Sequence, residues 1–448
     1  MRQYFPLILM ILISSIVTNC SRKKEITQKP NVILIMADDI GFECLSINGS
    51  KSYNTPILDS LATNGINFTN TISQPLCTPS RVKIMTGKYN FRNYEHFTYL
   101  NSNQKTFGNL FKEKGYKTAI VGKWQLNGLK VKSINDKISQ NNQRPNKFGF
   151  DEYCLWQLTK TKELGERYAN PLIEQNGYFL PRNKTAYGPD IVSNYAIDFI
   201  RRNRDGPFFI YYPMLLVHDP FVPTPDSPDW KSLDTRSKRD KKYFVDMVSY
   251  MDKIIGKIAK ELKTQGLAEN TLLLFVGDNG TNINLVSETI NGSIRGAKGN
   301  TITHGVNVPM IASWPLKIKN PKTYKGFVDF NDFYATFLEI LEVKDECDGK
   351  SLINIFSNKK TERREMVSIY YDPHSFNPST SKLRNVFSQN HRYKLYQNGD
   401  FYDIKKDILE TKPLIEINLT DNEKIIKAKL ASELKLFPQL PKKNQRIN

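Results

Sequence analysis

The sequence predicts an α/β fold: a large mixed, mostly parallel sheet flanked by helices, followed by a smaller C-terminal α+β domain made of an antiparallel sheet plus a helix. Two observations carry this. Short, wholly apolar runs alternate with helix-spaced segments through about residue 340, the pattern of strands buried on both faces and joined by helical crossovers. Beyond the charged stretch SNKKTERRE, the runs shorten and Asn398-Gly399 supplies a hairpin turn.

Taken in order, Val32–Met36 is an apolar run that ends abruptly in Asp38-Asp39 and Gly41, so two acids sit at the carboxyl end of a buried strand. Pro56 early and Gly65 late bracket a short helix, after which Ile66-Asn67-Phe68 resumes extended structure. KTAIVGKW, ending at Trp124, and GPFFIYYPMLLVHDPF, ending at Phe221, each read as a strand followed by a turn. Tyr243 to Leu267 carries Met247, Tyr250, Met251, Ile254, Ile255 and Ile258 at helical spacing and stops at Gly266. TLLLFVGDNG comes next as a second buried strand, ending in Asp278-Asn279. MVSIYYDP, RNVFSQN and YKLYQNGDFYDI read as short strands, with a final helix near Lys424 to Leu434. The expected organisation is a leader over 1–20, a catalytic domain over 28–360 and a C-terminal subdomain over 363–448.

The leader has a basic start, an apolar run from Phe5 to Val17 and a polar stop, which is a secretory signal. The chain is therefore expected to be exported. Val17-Thr18-Asn19-Cys20 resembles a bacterial lipoprotein cleavage box, although Asn19 replaces the usual small residue. On that reading Cys20 is lipidated, Arg22-Lys23-Lys24 lies near anionic lipid, and the protein sits in the bacterial periplasm or at the outer membrane or cell surface. Ordinary cleavage with Cys20 incidental is the alternative.

With 39% hydrophobic and 24% charged residues, composition is that of a globular protein and excludes a disordered chain. A formal net charge of +19 points to a polyanionic partner: nucleic acid, anionic lipid or sulfated glycan. The lysines are dispersed and form no basic helix interleaved with aromatics, so nucleic acid is not expected. Cys44, Cys77, Cys154 and Cys347 lack CxxC or regular spacing, which supports neither a disulfide framework nor a zinc site.

Asp38, Asp39, Asp278 and Asn279 offer only oxygen, so a hard divalent cation suits them, and Ca²⁺ accepts such a mixed set more readily than Mg²⁺. Turn formation after a strand is the other use of such pairs. In QPLCTPSRVKIMTGKY, Pro79 suits the first turn of a helix running from Ser80 to a stop at Gly87. Cys77 would then face a helix N-terminus, where backbone N–H groups and the dipole favour an anion. A small buried cysteine is the plainer reading.

C-x-P-S-R followed by a T-G element resembles the signature of the formylglycine-dependent sulfatases, arylsulfatase-like members of the alkaline phosphatase superfamily. The likeness extends in order through NVILIMADDIG, TPILDSLATNGINFTN, AIVGKWQL, VHDPFVPTP, LLLFVGDNG, IRGAKGNT, VNVPMIASWP and the late YKLYQNGDFYDIKKD. The resemblance implies that a maturation enzyme converts Cys77 to formylglycine (3-oxoalanine), reading Pro79 and Arg81. Hydrated, the aldehyde is a geminal diol; one hydroxyl attacks sulfur, and the second later expels sulfate. It further implies Ca²⁺ on Asp38, Asp39, Asp278 and Asn279, with Arg81, Lys123 and Lys298 on the hydrate and the sulfate oxygens. His218 matches the histidine placed near the leaving-group oxygen, where it can act as general acid. The implied substrate is a sulfate ester of a sulfated glycan or oligosaccharide.

Two departures stand out. GKWQLNG carries Gln125 where the family has histidine, and Gln cannot exchange a proton. In NTITHGVNVP, His304 lies soon after Lys298 and is a candidate to replace that histidine in part, or a packing variant. Gln125 and His304 are thus the expected substrate-side variables. A phosphodiesterase or phosphonate hydrolase of the same superfamily, and a degenerate module that binds sulfated glycan without catalysis, are the alternatives.

Overall fold

The computed structural model describes residues 29–129, 131–159, 166–360, 362–374 and 383–440. The leader and Cys20 lie outside these. No helix among the described residues is long and apolar enough to cross a membrane.

Ten strands form one sheet: β1 (Asn31–Ala37), β2 (Ile66–Ile72), β3 (Lys117–Lys123), β4 (Glu152–Trp156), β5 (Ile173–Gln175), β6 (Tyr178–Phe179), β7 (Phe208–Pro213), β8 (Thr271–Gly277), β11 (Asn307–Ser313) and β12 (Lys322–Asp329), in the order β12-β2-β11-β8-β1-β7-β3-β4-β5-β6. The strands β9 (Val286–Thr289) and β10 (Gly292–Arg295) make a separate hairpin. The centre, β8-β1-β7-β3-β4, is parallel throughout, and every residue of β1 and β8 is buried, as their unbroken apolar runs require. Strand β11 is antiparallel to both β2 and β8. Parallel order at the centre matters for function, because it brings the carboxyl ends of β1, β3, β7 and β8 to one edge.

The helix Tyr243–Thr264 forms as its spacing predicts and packs Met247, Met251, Ile254, Ile255 and Ile258 into the core on one face of the sheet. The Pro56–Thr63 helix has Pro at its first position. The Cys77–Thr86 helix differs from expectation at its start: it begins at Cys77, not Ser80, with Pro79 inside its first turn. It ends at Gly87, whose left-handed φ of 67° lets its N–H cap Lys83 O at 2.9 Å. All ten residues of this helix are buried.

The C-terminal region forms a four-stranded antiparallel sheet: β13 (Val367–Tyr371), β14 (Asn385–Gln389), β15 (Tyr393–Tyr396) and β16 (Phe401–Asp403). The last helix runs Asp421–Leu434, three residues earlier than its apolar pattern suggests, because Thr420 and Glu423 form a capping box. This sheet is joined to the large one by an apolar cluster of Ile72, Leu76, Val306, Phe327, Ile369, Tyr371 and Phe387. Leu76 immediately precedes Cys77, so the C-terminal sheet braces the turn that presents it.

Candidate active site

At the end of β1 the chain turns sharply, with Asp39 at a left-handed φ of 64°. That turn is fixed from both neighbouring strands: Asp38 N donates to Leu216 O at 2.9 Å, Asp278 N to Ala37 O at 3.0 Å, and Asp39 N to Asp278 Oδ1 at 2.9 Å. Asn279 Nδ2 donates to Asp39 Oδ1 at 2.8 Å, and Gly41 N to Thr281 Oγ1 at 2.9 Å. Thr281 in turn donates to buried Glu43. The two acid-ended strands thus meet as one cluster.

Cations close around it. Gly122, at φ 111°, lets β3 press against β7 at a point where a Cβ would lie 2.0 Å from Pro213 O, and the next residue, Lys123, reaches Asp38 with Nζ 2.8 and 2.7 Å from its two carboxylate oxygens. Arg81 Nη1 donates to Lys123 O at 2.9 Å and to Trp124 O at 3.2 Å. Lys298 Nζ lies 2.5 Å from Asp39 Oδ2 and 3.1 Å from His218 Nε2. His218 Nδ1 lies 2.6 Å from Asp219 O, which fixes Nδ1–H as the donor and leaves Nε2 to accept from Lys298.

The loop that carries Lys298 is itself held from the C-terminal sheet. Lys394, fully buried, donates to Thr301 O, and Tyr396 Oη lies 3.0 Å from Thr301 Oγ1. Gly299 N donates to Pro75 O at 2.8 Å, tying the same loop to the turn before Cys77.

Burial and charge split the carboxyls. Burial alone would raise Asp38, but Lys123, with Arg81 and Arg167, holds it well below the usual carboxylate range. Asp278 is driven the other way, by burial and then by the like charges of Asp38 and Asp39. Burial pushes His218 down to about 3 against the pull of Asp39, with Lys298 adding to the depression. His218 is therefore neutral at rest, and Lys298, held protonated by Asp39 against its burial, is the charged member of the pair.

The donor set fits a hard cation. Asp278 Oδ2 and Asn279 Oδ1 are buried without a hydrogen-bond partner, and ligand atoms of Asp38, Cys77 and Asp278 lie within 4.8 Å of one another, as do those of Asp38, Asp39 and His218. Carboxylates driven apart in proton affinity within one buried space would be relieved by a dication. Cys77 is 4% exposed at the start of its helix. Close by, Arg81 Nε and Nη2 are buried with no hydrogen bond, Nε standing 3.9 Å from Asp278 Oδ2.

Two residues of this environment have no signal in the sequence. Arg167, 7% exposed, places Nη1 3.3 Å from Asp38 Oδ2 and its guanidinium 4.1 Å above the Trp156 ring. Gln157, at the end of β4, bonds through its side-chain oxygen to Gln125 Nε2, and both residues have left-handed φ, 53° and 49°. Gln125 is thus tied into a neutral amide pair beside Trp124, whose carbonyl holds Arg81. His304 is not gathered into the cluster. Its backbone covers Gly280, but its side chain lines a separate groove with Glu43, Lys325 and Arg363, and burial lowers its proton affinity.

A family model described as Sulfatase matches residues 30–343, well over half of the chain. The chain belongs to the sulfatase family. A second model, described as N-sulphoglucosamine sulphohydrolase, C-terminal, matches residues 301–438. This sulfatase is 26% identical to a sulfatase of Formosa agariphila over 98% of its own length and 94% of the relative's. It is 29% identical to an N-acetylgalactosamine-6-O-sulfatase of Bacteroides thetaiotaomicron over 79% of this chain and 82% of that one. Among solved structures it superposes on Ps i-CgsB with a TM-score of 0.72 at 25% identity, covering 91% and 92% of the two chains. The enzyme is a sulfuric ester hydrolase.

Proposed function

We propose that this sulfatase removes sulfate from a sulfated glycan or oligosaccharide, using a formylglycine made from Cys77 by a maturation enzyme and a Ca²⁺ held by Asp38, Asp39, Asp278 and Asn279. The observation that carries it is the meeting of Cys77, at the N-terminal end of a buried helix, with unpaired Arg81 donors and an all-oxygen acid cluster. Once formed at Cys77, the hydrated aldehyde would supply one hydroxyl for attack on sulfur and a second for the release of sulfate. A Ca²⁺ held by these four residues would supply positive charge against the sulfate oxygens.

The chain's own residues do the rest. Arg81 directs two unpaired donors, Nε and Nη2, toward charge that develops on sulfate in the transition state. Lys123 keeps Asp38 ionised and oriented. Lys298 carries the proton and donates it along the 3.1 Å contact to neutral His218 Nε2, and this pair is the proton source for the leaving alcohol. Gln125 and Gln157 hold position without exchanging protons.

The glycan reading is supported by the relative named for N-acetylgalactosamine-6-O-sulfate and by the net charge of +19. Export and a lipid tether on Cys20 belong to the same proposal, resting on the apolar run and cleavage box. Desulfation of a panel of sulfated saccharides, run beside phosphate diester and phosphonate substrates, tests it. Sulfate release from saccharides with the phosphorus esters untouched is expected; preferential phosphorus chemistry would overturn it.

A further inference from the structure

Outside the catalytic cluster the molecule carries a second basic groove, of about 470 Å³, lined in part by Thr303, His304, Asn307, Lys325, Arg363 and Lys405. It lies where β2 and β12 of the large sheet meet the loop after β16, and none of the residues in the acid cluster lines it. Its one acidic lining residue, Glu43, is buried, donated to by Thr281, and raised in proton affinity chiefly by burial. Lys325 and Lys405 both line the groove, and Asn70 Nδ2 donates to Lys325 O at 2.9 Å. Arg363 Nη2 donates to Lys325 O at 2.9 Å and lies 3.1 Å from His391 Nε2, and the His391 ring stacks on Phe327 at 4.3 Å. Arg363 is thus held at the rim, where its Nε also lies 3.3 Å from Glu365 Oε1.

The wall also carries polar atoms without partners. Asn307 Oδ1 and Thr303 Oγ1 are buried with no hydrogen bond among the described residues. Cations at the rim of a groove whose lining is otherwise largely polar, with Asn70, Asn291, Thr303 and Asn307, match a ligand that offers both anionic oxygens and alcohols. The groove backs directly onto the catalytic loops: Gly280 N, next to Asn279, donates to Gly305 O at 3.1 Å.

We propose that this groove is a non-catalytic binding site for a sulfated saccharide segment, which retains a polymeric chain while the acid cluster works on another part of it. The ligand class rests on the proposed glycan-desulfating activity; the binding itself does not depend on turnover. The test uses the full chain with Cys77→Ala, so that no ligand is consumed, and measures affinity electrophoresis on gels containing chondroitin 6-sulfate or carrageenan, each against its chemically desulfated form. The double variant Lys325→Gln with Lys405→Gln is expected to lose roughly tenfold in affinity for the sulfated chains, the scale of two partly exposed charge contacts. In the otherwise native enzyme the same pair should leave kcat/KM on a small aryl sulfate unchanged. Undiminished retention by sulfated gels, or equal retention by the desulfated ones, would overturn the proposal. Because binding is read without catalysis, a failed saccharide desulfation assay would sink the substrate reading and leave this result standing on its own.

Discussion

The two flanks of the active cluster are built from opposite chemistry. On one, Lys298, His218 and Asp39 form a chain of charged and titratable groups, with contacts of 2.5 and 3.1 Å at Lys298. On the other, at the ends of β3 and β4, Gln125 and Gln157 form a neutral pair that cannot take up or release a proton. On the proposed mechanism proton traffic is therefore one-sided: the groups able to exchange a proton lie on the Lys298 flank, and the glutamine flank offers only neutral amides.

Breaking the charged flank should have the largest effect. Lys298→Ala is expected to lower kcat on an aryl sulfate by about 10³-fold, and His218→Ala by about 10²-fold, the range for loss of a positioned proton donor. His218→Ala should also hurt poor leaving groups more than good ones, which a series of aryl sulfates of different phenol acidity would show. An equal loss across that series would place His218 in structure only.

The neutral flank should respond less. Gln125→His alters kcat by under about tenfold, a limit of roughly 1.4 kcal/mol, because the proton path already lies opposite. A much larger gain would show instead that the natural site is crippled by its glutamine. Gln157→Ala, which frees Gln125 from its partner, is expected to raise KM with kcat near its natural value, as steady-state kinetics would reveal.

The smallest effect concerns the base of the cluster. Burial raises Glu43 above its ordinary value of 4.5, so its contribution to stability is present below that pH and lost as pH rises through the folded value. Glu43→Gln should therefore raise Tm at about pH 7 and change it little at about pH 4, in thermal melts run at both.

The charged flank was largely legible in the sequence, and the neutral one was not. Asp38, Asp39, Asp278 and Asn279 come directly after unbroken apolar runs, and a buried parallel strand must deliver the next residues of the chain to the sheet's carboxyl edge. Lys123, the last residue of β3, and His218, soon after β7, were marked by the same position at the sheet's carboxyl edge. Gln157 comes after β4 in a stretch with no catalytic motif, and its link to Gln125 depends on the pairing of β3 with β4. Arg167 lies in an irregular connection, so only tertiary packing of its guanidinium on Trp156 shows that it reaches Asp38. His304 was left open between a part in the site and a packing variant, because six residues from Lys298 in sequence do not show that it lines another groove beside the short Thr303–Val306 helix. The antiparallel sense of β11 was equally hidden, since strand direction is set by connections and not by composition.

The decisive experiment is peptide mass spectrometry across Gln74–Tyr89 on enzyme purified from its native host, paired with sulfate release by the same preparation. An aldehyde in place of the Cys77 thiol is expected, in proportion to activity. A fully active preparation with the thiol intact would rule out the formylglycine mechanism.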